Sequence, residues 1–76
     1  MKFWNGYRSK TLEERGWAKI RITRSRLATY DDGEFIAWLE EDRPGRWFEQ
    51  GTPDLMSRDY YFEDHSVATL FALKWT

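Results

Sequence analysis

Asp64-His65-Ser66 places an acid, the chain's one histidine and a hydroxyl side by side. In a hydrolytic site these three types form a relay, in which the imidazole takes the hydroxyl proton and the carboxylate holds the imidazole. The histidine must then hydrogen-bond to both partners. Consecutive side chains on a helix point about 100° apart, so three neighbours in sequence cannot meet in that way. The residues that follow give another reading. Val67, Leu70, Phe71 and Lys74 fall at i, i+3, i+4 and i+7, and Ala68 and Ala72 favour the same helical state. Aspartate ahead of such a run accepts a backbone N–H that the first turn leaves free. Asp64 is therefore predicted as an N-cap, with His65 and Ser66 in the first turn. No catalytic residue is assigned, and the protein is expected not to be an enzyme.

Metal and cofactor chemistry find equally little support. There is no cysteine and no second histidine, which removes thiolate sites, disulfides and cysteine nucleophiles together. The acidic runs Asp31-Asp32-Gly33-Glu34 and Glu40-Glu41-Asp42 lack the loop spacing of an EF-hand and read as solvated helix faces. The five glycines are scattered, each at a turn or helix end, and form no phosphate-binding loop. No metal and no cofactor is expected.

The remaining candidates are binding residues. In WAKIRITR (17–24), Ala18, Ile20 and Ile22 alternate with Lys19, Arg21 and Thr23, the pattern of a half-buried strand with one basic side. Trp17 shares the parity of Lys19 and Arg21, and Arg24 and Arg26 extend the patch. A tryptophan among cations resembles a stacking-and-phosphate platform, so nucleic acid is one predicted partner class. No RNP-type aromatic motif accompanies it. The charge is also divided along the chain. Residues 1–28 hold eight basic side chains against two acids, a net +6, whereas residues 29–76 hold four against eleven, a net −7. The two halves either neutralise each other within one sheet or present opposite charged faces. Acids on 31–42 and 59–64 could also imitate spaced phosphates, although a total charge of −1 is mild for a nucleic-acid mimic.

These residues must be positioned by a small domain. Seventy-six residues make one unit, with no repeat or linker; within residues 1–16, KFWNGYR reads as a short strand or an irregular arm and TLEERG as a single helical turn. Five Trp, five Phe and four Tyr supply the core, each able to bury about 150–250 Å². TLEERG (11–16) carries a capping box, Thr11 with Glu14, and Gly16 stands where a C′ glycine would. TYDDGEFIAWLEED (29–42) reads as a helix capped from Thr29, Asp31 or Asp32, with an apolar stripe of Phe35, Ile36 and Leu39, stopped by Pro44-Gly45. RWFEQ (46–50) and RDYYFED (58–64) read as strands around a turn at GTPD (51–54). In the second, Tyr60 and Phe62 face one way, and Asp59, Tyr61 and Glu63 the other. MKFWNGYRSK has no apolar run of signal-peptide length, and no stretch approaches the roughly 18–20 residues of a membrane span. A soluble, cytoplasmic protein is expected.

FIAWLEEDRPGRW and YYFEDHSVATLFALKW, within residues 35–75, resemble small, functionally uncharacterised proteins of tailed bacteriophages. Those chains share a helix ending WLEE, a Gly-Arg-aromatic strand, an aromatic strand with F-E-(D/N), and a short helix with A-x-x-F-x-L-(K/R). The resemblance implies phage origin, bacterial cytoplasm as location, and action by binding, modulating or inhibiting host machinery; it carries no enzymatic activity.

The expected fold is α+β in two layers. Strands 17–24, 46–50 and 58–63 form a mostly antiparallel three- to four-stranded sheet with both helices on one face, like a ferredoxin-type βαββα without its final strand. The absent strand leaves a sheet edge to be covered by the N-terminal segment or by a second copy, so a tendency to form homodimers is predicted. The favoured function is non-enzymatic contact with a host protein through the uncovered sheet face, using Trp17, Lys19, Arg21, Arg24 and Trp47. Nucleic-acid binding by strand 17–26 is the alternative, and an enzyme of unrecognised type a third.

Overall fold

The computed structural model describes residues 1–6 and 9–76. In chain order the elements are β1 (Lys2–Phe3), α1 (Ser9–Glu14), β2 (Ala18–Thr23), α2 (Arg24–Leu27), α3 (Asp32–Glu40), β3 (Arg46–Gly51), β4 (Ser57–Phe62) and α4 (His65–Trp75). The strands form one sheet in the order β1-β3-β4-β2. β4 lies antiparallel between β2 and β3, with Ala18 opposite Phe62 on one side and Trp47 opposite Phe62 on the other. β2 and β3 therefore run parallel to each other without touching. β1 adds a short parallel pairing along β3, Lys2 beside Arg46 and Phe3 beside Trp47. The fold is thus α+β, with a mostly antiparallel four-stranded sheet.

Local chemistry sets where the helices start. Asp64 accepts from the Val67 N–H at 3.1 Å and Asp31 from the Glu34 N–H at 2.9 Å; each carboxylate satisfies a donor that its helix leaves free. His65 and Ser66 begin α4. The end of α1 is equally local. Gly16 sits at φ +82°, the Trp17 N–H donates to the Leu12 carbonyl at 3.1 Å and the Gly16 N–H to the Glu13 carbonyl at 3.0 Å. This is a Schellman stop, and its customary apolar contact is made by Leu12 and Trp17. Thr11 is inside α1 rather than at its cap, because the helix already begins at Ser9. Four residues after β2 form a helical turn not expected from the pattern: Thr23 caps α2, accepting from the Arg26 N–H at 3.3 Å.

The main core lies between the sheet and helices α3 and α4. Ile22, Tyr60 and Phe62 from the strands meet Phe35, Trp38 and Leu39 from α3 and Val67, Ala68, Phe71 and Trp75 from α4. Phe71 is the hub, with ring centroids 4.8 Å from Phe62, 5.2 Å from Tyr60 and 5.6 Å from Trp38. Two stripe assignments are corrected. Ile36 is exposed, and α3 buries Phe35, Trp38 and Leu39. Leu70 is exposed too, and α4 buries 67, 68, 71 and 75 rather than 67, 70, 71 and 74. Both arcs share Val67 and Phe71; the angle at which the helix lies on the sheet selects between them.

The reverse face of the sheet, predicted from the sequence to be uncovered, is partly covered. α1 folds across one end of it, and Leu12, Trp17 and Tyr61 form a second buried cluster flanked by Trp4 and Phe48. Of the alternatives for the N-terminal segment, residues 2–3 take the strand and residues 9–14 the helix. The N-terminal strand also takes the edge beyond β3. A strand completing a ferredoxin-type sheet would lie beside β2, and β2 remains outermost.

Candidate functional site

Four of the five predicted contact residues divide between the two faces of the sheet, and the fifth, Arg24, is exposed at the start of α2. Trp17, Lys19 and Arg21 lie on the α1 side. Trp47 lies on the α3/α4 side, half-buried against the main core, with Phe3 edge-on at 4.9 Å. Opposite Phe62 in the ladder, it must share that residue's face. Trp17 is 7% exposed, enclosed by Leu12 and Tyr61 and set edge-on to Trp4 at 5.7 Å. The five residues therefore do not make one surface, and the two tryptophans serve separate clusters.

The cations are largely engaged within the chain. Lys19 Nζ lies 2.8 Å from Glu13 on α1, and that hydrogen bond holds the ammonium pKa above its usual range. Arg21 grips Asp59 through Nε at 2.7 Å and Nη2 at 3.0 Å. Asp59 is 4% exposed, so the two-pronged pair shields a carboxylate that burial would otherwise penalise. Arg46 forms a similar fork with Glu63, at 3.0 and 2.8 Å, which lowers the carboxyl pKa of Glu63. The Arg46 guanidinium also stands 4.7 Å from the Trp4 ring and 5.6 Å from Trp17, a cation held against two aromatic faces. Gly6 makes room for Trp4: a side-chain carbon there would sit 2.2 Å from the indole nitrogen. Among these pairs Arg21–Asp59 joins the basic segment 1–28 to the acidic segment 29–76, whereas Lys19–Glu13 lies within the first and Arg46–Glu63 within the second. Arg24 and Arg26 differ, with no carboxylate partner among the described residues.

His65, the histidine considered for chemistry, places Nε2 2.6 Å from the Gly16 carbonyl oxygen. It pins the end of the α1–β2 connection to the start of α4. Among the described residues there is no group of three or more His, Asp or Glu side chains arranged to hold a metal ion. Among the described residues no helix is long and apolar enough to cross a membrane.

A surface that was not anticipated lies on the other side of β2. Ala18 and Ile20 from the strand and Ala68, Thr69, Ala72 and Leu73 from α4 line an open groove of ≈ 560 Å³. Leu73 is 78% exposed and Leu70 52% exposed on the same helix. The sequence signal was available in the apolar excess of SVATLFALKW: Leu70 and Leu73 are more than one buried arc requires. The β3–β4 turn carries a smaller apolar tip, where Leu55 and Met56 are exposed and Leu55 holds a positive φ of 62°.

No protein-family model matches this chain, and no curated protein or solved structure matches it either.

Proposed function

We propose that this protein is a small accessory module of the tailed-phage type, which acts in the bacterial cytoplasm by contacting a host protein and modulating or inhibiting it. The observation that carries the reading is the division of labour among side chains. The polar groups that could do chemistry stabilise the fold: His65 on the Gly16 carbonyl, Asp64 and Asp31 on helix N-termini, and Arg21 and Arg46 on Asp59 and Glu63. The apolar side chains of α4 beside the outermost strand are left facing solvent. Leu73, 78% exposed over the groove beside β2, is apolar surface of the kind that another molecule could cover.

The same pairing weighs against the nucleic-acid reading. Lys19 and Arg21 already hold Glu13 and Asp59, so a phosphate would have to displace a carboxylate from each. The test is affinity capture from bacterial lysate with and without nuclease. A protein retained after nuclease treatment is expected. Retention of DNA or RNA alone, with a steep loss on added salt, would transfer the function to strand 17–26.

A further inference from the structure

We infer that Arg24 and Arg58, which converge over Gly51, form a binding site for a small phosphate monoester whose apolar body lies against Leu27, Phe35 and Ile36. The site is separate from the groove beside β2, and the inference goes beyond the host-protein reading and does not depend on it.

The fold brings the two guanidiniums together from distant parts of the chain. Gly51 is the last residue of β3 and stands opposite Arg58 in the ladder with β4. Opposite residues share a face, so a side chain at 51 would point the way Arg58 does. That is the α3/α4 side, because Arg58 has the parity of Tyr60 and Phe62. Arg24 arrives from the far side of β4, directly after β2. Its N–H donates to the Met56 carbonyl at 2.9 Å, which holds the start of α2 at the β3–β4 turn. The point that a side-chain carbon at Gly51 would occupy lies 3.4 Å from Arg24 Nη2 and 3.9 Å from Arg58 Nη1. Two cations thus face one small space that glycine leaves free.

Charge sets the occupant of that space. Arg58 Nη2 lies 3.3 Å from Glu49 Oε1, and Nη1 is left for another acceptor. Arg24 has no carboxylate partner among the described residues, so positive charge is in excess. An anion between two guanidiniums relieves their repulsion, and their N–H groups match the oxygens of a phosphate. Tyr60, 2% exposed, lines the adjoining cavity. Burial, with the Glu49 charge beside it, pushes its hydroxyl pKa up, so it remains a donor.

That cavity, which Arg58 also lines, sets the rest of the ligand. It holds ≈ 210 Å³, with apolar walls from Leu27, Phe35 and Ile36. Drug-sized ligands take about 300–1,000 Å³, so the body is limited to about one ring. Ile36 is 47% exposed, an apolar side chain that the core does not use. Asp32 and Glu49 line the same cavity, and their carboxylates oppose a second phosphate. The ligand therefore carries one anionic group on an uncharged body. A nucleic-acid strand, charged at every nucleotide, does not match that pattern.

The probe is phenyl phosphate, compared with inorganic phosphate and a thymidine oligonucleotide. Each is titrated into the full-length protein at about pH 7.5, above the second phosphate ionisation near about 6, and backbone amide shifts are followed by NMR. Phenyl phosphate is expected to move amides of 24–27, 35–36, 49–51 and 58–60, and to bind about tenfold more tightly than inorganic phosphate because its ring is buried. Arg24→Gln should weaken it about tenfold, the loss of one charge-assisted contact. Arg24 is exposed, so that variant keeps its fold. Gly51→Asp should abolish binding by placing a carboxylate of the chain's own at the anion position. Lys10→Gln, which removes an exposed cation on α1, should bind as the wild type does. No saturable shift at tens of millimolar phenyl phosphate, or shifts that map away from Arg24 and Gly51, would overturn the proposal. So would equal binding by wild type and Arg24→Gln, or equal weakening by Arg24→Gln and Lys10→Gln. Tighter binding of the oligonucleotide at these residues would overturn it too, since nucleic acid would then be the occupant.

Discussion

The two faces of the sheet are stabilised by different means. On the α3/α4 side, ten buried residues interlock around Phe71, and their contacts are almost entirely ring against ring or ring against aliphatic chain. On the α1 side, three buried residues suffice, and charge surrounds them: Lys19 with Glu13, Arg21 with Asp59, and Arg46 with Glu63 beside Trp4. A short helix contributes little apolar area, so its docking leans on ion pairs and on a cation between indoles. The main core should set global stability, whereas the reverse face should be able to open locally.

The strongest way to break this contrast is Phe71→Ala. A large buried ring removed from a core costs about 3–5 kcal/mol, and a domain of this length holds roughly 4–11 kcal/mol in all. Urea denaturation should show the midpoint collapsing or the chain unfolded in buffer; a loss below about 1 kcal/mol would mean that Phe71 is not the hub. Leu12→Ala comes next, at about 2–3 kcal/mol. Its signature should be regional, with hydrogen exchange accelerating in α1 while β4 and α4 keep their protection. Uniform loss of protection would show that both faces melt as one unit.

Acid gives a finer probe. Glu63 has its folded carboxyl pKa lowered by Arg46, so it adds stability that is full above the unfolded carboxylate range, about 4.3, and is lost as pH falls through the lower folded value. The pair is part-exposed, which limits the effect to about 1 kcal/mol or less. Comparing Glu63→Gln with the wild type between pH 6 and pH 3 should show the variant less stable at the upper end and the difference closing at the lower. A constant gap would exclude the ion pair as its source. The smallest expected change is Leu55→Gly, which relieves a left-handed residue at about 1–2 kcal/mol while adding unfolded-state entropy of about 0.5–1 kcal/mol. A net gain near 0.5 kcal/mol should raise the thermal midpoint slightly, with both faces unaffected.

Much of the architecture was legible because its signals are local. Asp31 and Asp64 announce their helices, Gly16 announces a stop, and the alternation of Ala18, Ile20 and Ile22 against Lys19, Arg21 and Thr23 sorts one strand into two faces. Tyr60 and Phe62 separate from Asp59 and Tyr61 in the same way, as found. The candidate site was less legible. Arg46, Trp47 and Phe48 are all large, so their own pattern does not say which is inward; pairing with Phe62 turns Trp47 toward the helices. Leu70 and Phe71 are equally apolar, and the seat of α4 on the sheet buries one and exposes the other. Leu12 announces an apolar contact for α1 but does not say that the contact is the back of the sheet.

The amino-acid sequence by itself determined that Asp64 would cap the last helix, which residues of β2 and β4 share a face, and that aromatics would supply most of the core. Capping and alternation act over three or four residues, so no distant partner is needed to decide them. Tertiary structure decided which charges meet and which surfaces stay open. Arg21 finds Asp59 38 positions away, and β2 becomes the free edge because β1 pairs with β3. Such outcomes depend on how separated segments stack, and short-range sequence pattern carries no term for that.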